Sequence, residues 1–244
     1  MGRFDDKVAL VTGGGTGIGR AIATAIAAEG GQVVVTGRRV DRLREVSETN
    51  PDRIRYVQAD VSQGADVKRA IAFTVEQFGA LDVLVNNAAA CTMRPLSNLT
   101  DEAISEMLDV NVKGTLMGIR EALPQLTGRR GSVVNVTSVT ARAATPAMSA
   151  YGGSKAAVEQ LTRCLAVELG PAGVRVNVVS PGMTMTPMLE GNMDQQGIEQ
   201  VASHTPLRRV GTPEDVAEAV LFLASDQAGW ITGQVVQSSG GLSL

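Results

Sequence analysis

Short runs of β-branched and other apolar residues alternate down this chain with longer segments of helical pattern. "KVALVT" (7–12), "QVVVTG" (32–37), "RIRYVQAD" (53–60), "LDVLVNN" (81–87), "GSVVNVTS" (131–138), "GVRVNVVS" (173–180) and a final "GQVVQSSGG" (233–241) read as strands. Most lack a polar face, so both sides of the sheet they form must be covered. The segments between them supply the cover, which dictates a parallel sheet between two helical layers. Right-handed crossovers then make it a doubly wound α/β fold of about seven strands. No linker or internal repeat interrupts the pattern, so residues 1–244 are expected to form one domain.

Among the helices, the stretch from about Thr100 to Gln125 reads as one long helix, with Thr100 as N-cap and Asp101 and Glu102 in its first turn. Tyr151–Leu169 reads as another. Thr212 and Pro213 open a third with a cap and a first-turn proline. Residues 181–211 show no regular pattern and are expected to be an irregular substrate loop, since long loops in compact domains tend to serve function.

Composition removes several classes of function. The formal net charge is −3 with no block of like charge, which disfavours a nucleic-acid surface. A single histidine and two cysteines without CxxC spacing leave no set of metal ligands, so no metal is expected. No apolar stretch has membrane-spanning or signal-peptide length, and a cytoplasmic protein without membrane contact is the expectation.

The first strand runs into "TGGGTGIGR" (Thr12 to Arg20) and then a helix. Glycines let a phosphate approach the backbone, and a helix N-terminus offers free N–H groups and a favourable dipole. The spacing Gly13-x3-Gly17-Ile18-Gly19 is neither G-x-G-x-x-G nor a P-loop, because Arg20 and Ala21 stand where a P-loop has lysine and a hydroxyl residue. A dinucleotide-binding turn is the reading that remains. About 20 residues on, where an acid would bond a ribose 2′-hydroxyl, the chain has Gly37, Arg38 and Arg39. Two guanidiniums suit a 2′-phosphate, so NADP(H) is expected rather than NAD(H), with Thr16 and Arg20 as helpers.

"SAYGGSK" places Tyr151 four positions before Lys155, on one helical face. Such a pair can be incidental, a packing detail, or a device for moving a proton.

These motifs together resemble the short-chain dehydrogenase/reductase family in its single-domain branch. The resemblance spans the chain and rests on Thr12-Gly13-x3-Gly17-Ile18-Gly19, Asn86-Asn87-Ala88, Asn111, Ser138, Tyr151-x3-Lys155 and Pro181-Gly182. It implies a Rossmann fold and an oxidoreductase interconverting ketones and secondary alcohols. It implies Asn111, Ser138, Tyr151 and Lys155 as catalytic residues, with Tyr151 as general acid/base, Lys155 on the nicotinamide ribose, and Ser138 polarising the substrate oxygen. Asn111 would hold a relay water. The lysine cation is expected to lower the phenol's pKa.

The cofactor would further meet Asp60, Val61, Asn87, Ala88, Pro181, Gly182, the main chain of Thr184 and the side chain of Thr186. Asp60 is read either as the adenine carboxylate or as a helix cap. The family has glycine at Ala89, whose methyl is expected to crowd the cofactor. Gly152 and Gly153 are expected to leave room for substrate. The implied assembly is a homotetramer, paired through apolar residues Met107, Leu108, Leu116, Met117, Val158, Leu161, Leu165 and Val167. The pocket walls, with Cys91 and Met93 after strand four, Thr140, Ala141 and Met148 after strand five, and Met183, Met185, Met188 and Met193 from the long loop, are expected to be apolar. The narrower alternative is a 3-oxoacyl-carrier-protein reductase docking its carrier on Arg120, Arg129 and Arg130. A non-enzymatic NADP-binding regulator would predict damage to the Ser–Tyr–Lys set, and none is seen.

Overall fold

The computed structural model describes residues 2–191 and 193–243. Its strands are β1 (Val8–Thr12), β2 (Gln32–Gly37), β3 (Ile54–Gln58), β4 (Val83–Asn86), β5 (Ser132–Val136), β6 (Arg175–Pro181) and β7 (Val235–Ser238). They form one seven-stranded sheet in the order β3-β2-β1-β4-β5-β6-β7, with every neighbouring pair parallel. The chain winds outward from β1 through β2 to β3, then returns to β1's other side with β4. The crevice of a doubly wound sheet opens at that reversal, beyond the strands' carboxyl ends.

The helices are α1 (Gly17–Ala28), α2 (Val40–Glu48), α3 (Gly64–Phe78), α4 (Asp101–Leu108), α5 (Gly114–Arg129), α6 (Ser149–Leu169), α7 (Pro187–Glu190), α8 (Gln195–His204) and α9 (Pro213–Ala224). Successive strand residues serve opposite layers. Ala9, Val11, Val33, Val35, Val83 and Val85 pack with Ile22 and Ile26 of α1 and Val220 and Leu221 of α9. Leu10, Val34, Leu84, Val133 and Val176 pack with Ile71 of α3, Ile119 and Leu126 of α5 and Leu169 of α6. Thr212 and Asp215 cap α9 reciprocally. Among the described residues, no helix is long and apolar enough to cross a membrane.

Three expectations need correction. The helix expected from Thr100 to Gln125 is broken by a π turn at Asp109–Lys113, then runs on through Pro124 to Arg129. The region 181–211 is not irregular. Pro187 at a first-turn position and the Thr186 cap start α7, the Asp194 side chain caps α8, and Asn192 lies outside the described residues. Of the residues expected on an assembly face, Met107, Met117 and Val158 are instead buried in the monomer, whereas Leu108, Leu116 and Val167 are exposed.

Leu221 is fully buried between the sheet and α1. Leu221→Ala is expected to cost about 2–5 kcal/mol. For a chain of this size that is a fall of roughly 5–15 °C in Tm, read by calorimetry. An unchanged Tm would show that this layer relaxes around the cavity.

Candidate active site

The glycine turn is held by the end of β4. The Thr12 hydroxyl accepts from the N–H groups of Asn87 (3.0 Å) and Ala88 (3.1 Å). The Asn87 amide donates to the carbonyls of Thr12 (3.0 Å) and Gly13 (3.2 Å). Gly19 is required by this closeness, because a Cβ there would collide with the Gly13 carbonyl and lie 2.5 Å from Asn87 Nδ2. Thr16 is the N-cap of α1, yet its side chain makes no capping hydrogen bond, and the first turn, from Gly17 through Ile18, holds no acid. The leading N–H groups of α1 are thus left to an anion, which fits the pyrophosphate of a dinucleotide.

Around this turn lie the other residues expected to meet a cofactor. Arg39 reaches back to the Thr16 hydroxyl (3.2 Å), while Arg38 turns away to Glu106 of α4 (3.4 Å). Asp60 does not cap α3, which begins at Gly64. Its Oδ1 accepts from the Ser62 N–H and hydroxyl, closing a local turn. Val61 packs where Gly114 has no side chain. Pro181 ends β6, and Gly182 donates to the Ser238 carbonyl (3.0 Å). Thr184 bridges to Gly211 through the backbone. The Thr186 hydroxyl caps α7 and its methyl stands 3.1 Å from where a Cβ on Gly17 would be, so the segment after β6 lies against the glycine turn.

On the other side of the crevice, α6 turns Tyr151 and Lys155 inward, 8% and 3% exposed. Lys155 Nζ donates to the Val136 carbonyl (2.9 Å) and stands 5.7 Å from the Tyr151 ring centroid. Ser138, two residues past β5, lies by the Tyr151 phenol and favours its ionised form. The Ser138 oxygen accepts from Thr140, N–H at 3.3 Å and hydroxyl at 3.0 Å. A hydroxyl has two lone pairs and one proton. With both lone pairs taken, that proton points to the phenol or to a substrate oxygen. Gly152 makes the approach possible, because a Cβ there would lie 2.6 Å from the Thr140 carbonyl oxygen. It therefore leaves no room for substrate, contrary to expectation, whereas a Cβ on Gly153 would meet nothing within 4 Å outside its own helix among the described residues.

Electrostatics correct a second expectation. Burial pushes the Tyr151 phenol well above its ordinary value, the nearby Cys91 adds to the rise, and Ser138 only partly opposes it. Burial also pulls Lys155 down to about 8. Desolvation is the largest cause for both groups, and no lowering of the phenol by the lysine cation accompanies it. At neutral pH the pair is a neutral phenol beside an ammonium.

Asn111 sits in the π turn, nearly fully buried. Its Oδ1 accepts from Ala90 N–H (2.9 Å), and its amide donates to the Ala90 carbonyl and the Ser154 hydroxyl, both at 2.9 Å. Both amide hydrogens are used, so the side chain ties the loop after β4 to α6 and has no hydrogen left for a relay water. Ala89 has no positive φ, so its methyl costs no backbone strain. Sequence reasoning placed Thr140 in the pocket wall but missed its bond to Ser138, and it missed Ser154 altogether. A hydroxyl two residues past Ser138, and another three past Tyr151, were the available signals. Arg129, expected near a carrier-docking face, pairs with buried Asp82 (2.7 Å) and, with Arg130, lies at the amino end of β5, opposite the crevice.

A family model described as enoyl-(acyl carrier protein) reductase matches residues 13–243. The chain is 40% identical to 2-(R)-hydroxypropyl-CoM dehydrogenase of Xanthobacter autotrophicus, covering 96% of this chain and 97% of that protein. It is 36% identical to a 3-oxoacyl-(acyl-carrier-protein) reductase of Thermotoga maritima, over 99% and 100% of the two chains. The crystal structure of a short-chain dehydrogenase/reductase (glucose/ribitol dehydrogenase) from Brucella melitensis superposes with a TM-score of 0.95 at 32% identity, over 100% of this chain and 99% of that one. Glycine turn, sheet order, family model and these relatives agree: the chain belongs to the short-chain dehydrogenase/reductase family of oxidoreductases.

Proposed function

We propose that this chain is an NADP(H)-dependent oxidoreductase that interconverts a ketone and a secondary alcohol, with Tyr151 as general acid in reduction and general base in oxidation. The observation that carries this reading is the meeting of Ser138, Tyr151 and buried Lys155 beside a helix N-terminus left open for an anion. A bound nicotinamide would supply or accept the hydride. Arg38 and Arg39 would hold the 2′-phosphate, and the turn from Gly13 to Gly19 the pyrophosphate. Asp60, Val61, Asn87 and Ala88 would flank the adenosine half; Pro181, Gly182, Thr184 and Thr186 would flank the nicotinamide. In reduction, Ser138 directs its proton to the carbonyl oxygen and polarises it. Tyr151 then gives its proton to that oxygen. The phenolate left behind is stabilised by the Lys155 ammonium, and this is where the lysine's charge counts: on the product of proton transfer, not on the resting phenol. An ordinary buried phenol would resist losing its proton; one with a cation 5.7 Å from its ring does so at lower cost.

The narrower reading, a 3-oxoacyl-acyl-carrier-protein reductase, is favoured by the Thermotoga relative. Arg129 and Arg130, at the opposite end of the sheet, give it no support within one chain. An NADPH-oxidation screen over β-keto esters, cyclic and aryl ketones, quinones and an acetoacetyl thioester separates the two. Turnover of the thioester alone selects the narrower reading, and turnover of none overturns the proposed reaction.

The proposed assembly is a homotetramer working in the cytoplasm. Exposed Leu108, Leu116 and Val167 on α4, α5 and α6 support an interface on these helices. Light scattering is expected to give about four times the 25.4 kDa chain mass; a monomer at micromolar concentration would end this claim.

Tyr151→Phe is expected to keep fold and cofactor binding but lower turnover at least ~10²-fold. Because Lys155 titrates at about 8, kcat/KM for carbonyl reduction should be level below that pH, where the ammonium persists, and fall above it as the charge is lost. A near-normal rate in Tyr151→Phe would place the proton donor elsewhere, and a profile flat to pH 10 would remove the Lys155 charge from the reaction. Arg38→Ala is expected to weaken NADPH binding about tenfold and leave NADH unchanged, a loss at the low end for a charge-assisted bond because Arg38 is largely exposed. An NADH preference in the unmodified enzyme would overturn the cofactor assignment.

A further inference from the structure

The two arginines after β2 are not equivalent. Arg39 donates to Thr16 at the glycine turn, already beside the anion site. Arg38, the first residue past β2, has its carbonyl held by Gln58 Nε2 of β3 (3.0 Å), so its backbone is fixed at the edge of the crevice. Its guanidinium, however, pairs with Glu106 Oε1 across a gap of 3.4 Å. Glu106 belongs to α4, a different element from any that lines the glycine turn, and it reaches Arg38 over 68 residues of sequence. Both side chains are well exposed, 66% and 49%.

Resting on the NADP(H) reading above, we propose that Glu106 tunes cofactor preference by competing with the 2′-phosphate for Arg38. A guanidinium engaged by a carboxylate must leave it, or share it, to bind a phosphate. This competition acts on the 2′-phosphate and not on a 2′-hydroxyl. Glu106 therefore narrows the gap between the phosphorylated and unphosphorylated dinucleotides without touching either. The pair is exposed, so the effect is modest, about two- to fivefold, and shrinks as salt screens it.

The test measures binding, not turnover. Titration calorimetry at low ionic strength compares 2′,5′-ADP with 5′-AMP on the unmodified chain, Glu106→Gln, Arg38→Ala and the double variant. Glu106 is on the surface and its replacement removes no buried contact, so the variant should fold; its Tm is measured alongside. Expected are tighter 2′,5′-ADP binding to Glu106→Gln by about two- to fivefold, unchanged 5′-AMP, and no gain from Glu106→Gln when Arg38 is already alanine. If the unmodified chain prefers 2′,5′-ADP but Glu106→Gln does not change its affinity, the role of Glu106 is overturned and the NADP(H) reading stands. A gain that persists in the double variant also overturns it, since Arg38 would not be the mediator. If the two nucleotides bind equally to the unmodified chain, the NADP(H) reading falls and the role of Glu106 with it.

Discussion

A seam of buried hydrogen bonds across the carboxyl ends of the central strands holds both halves of the candidate site. Thr12 at the end of β1 donates to the Val85 carbonyl of β4 and accepts from Asn87 and Ala88. One residue away, Asn86 donates to Asn135 of β5, which donates to Thr162 of α6, each at 2.9 Å. Asn86, Asn135 and Thr162 are almost completely buried. Removing one member would orphan its neighbours, at about 1–3 kcal/mol each. The seam fixes the glycine turn to β4, β4 to β5, and β5 to the helix carrying Tyr151 and Lys155. A second set of bonds, from Asn111 to Ala90 and Ser154, repeats the link one layer out.

Placement so firm has an electrostatic consequence. A tyrosine and a lysine on one helical face would perturb each other only mildly if that face were wet. Turned inward beneath the loop after β5, both lose water, and water is what each charged form needs most. The phenol becomes a more reluctant acid and the ammonium a more ready one. The proposed reaction uses this as it stands: the site rests neutral at the phenol, and the cation matters once the proton has moved. Polarity supplied from fixed groups costs no reorganisation when charge appears.

How much of this the sequence carries differs from residue to residue. The fold was legible because strands without a polar face admit few arrangements, and the Gly13-to-Gly19 turn because its glycines sit between a strand and a helix. The facing of Tyr151 and Lys155 followed from helical spacing alone. Their pKa directions did not, since spacing gives proximity and says nothing of burial. Asp60 reads in sequence as an adenine carboxylate or as a helix cap; the structure excludes the cap, since α3 begins at Gly64 and Asp60 Oδ1 closes a local turn with Ser62. Met107 and Leu108 read alike in sequence; only the packing of α4 sends one into the core and the other to the surface. In 181–211, the short cap signals at Thr186 and Asp194 were present but lacked the apolar periodicity that announces longer helices. The Arg38–Glu106 pair joins positions too distant for any local pattern to connect.

The π turn at Asp109–Lys113 marks where this chain tolerates a change of length by one residue. Such a turn holds one residue more than the α-helical turn it replaces. Deleting a residue there would let α4 and α5 close into one α-helix with the side chains beyond still facing as they do, so Ile119, Ala122 and Leu126 would keep their places in the core. The loss would fall on Asn111, which the wide turn carries to Ala90 and Ser154. The same deletion a turn later, inside α5, would swing every following side chain round the axis by about 100°. A single-codon loss would thus be absorbed at the widened turn and would rotate a whole wall of the molecule just beyond it.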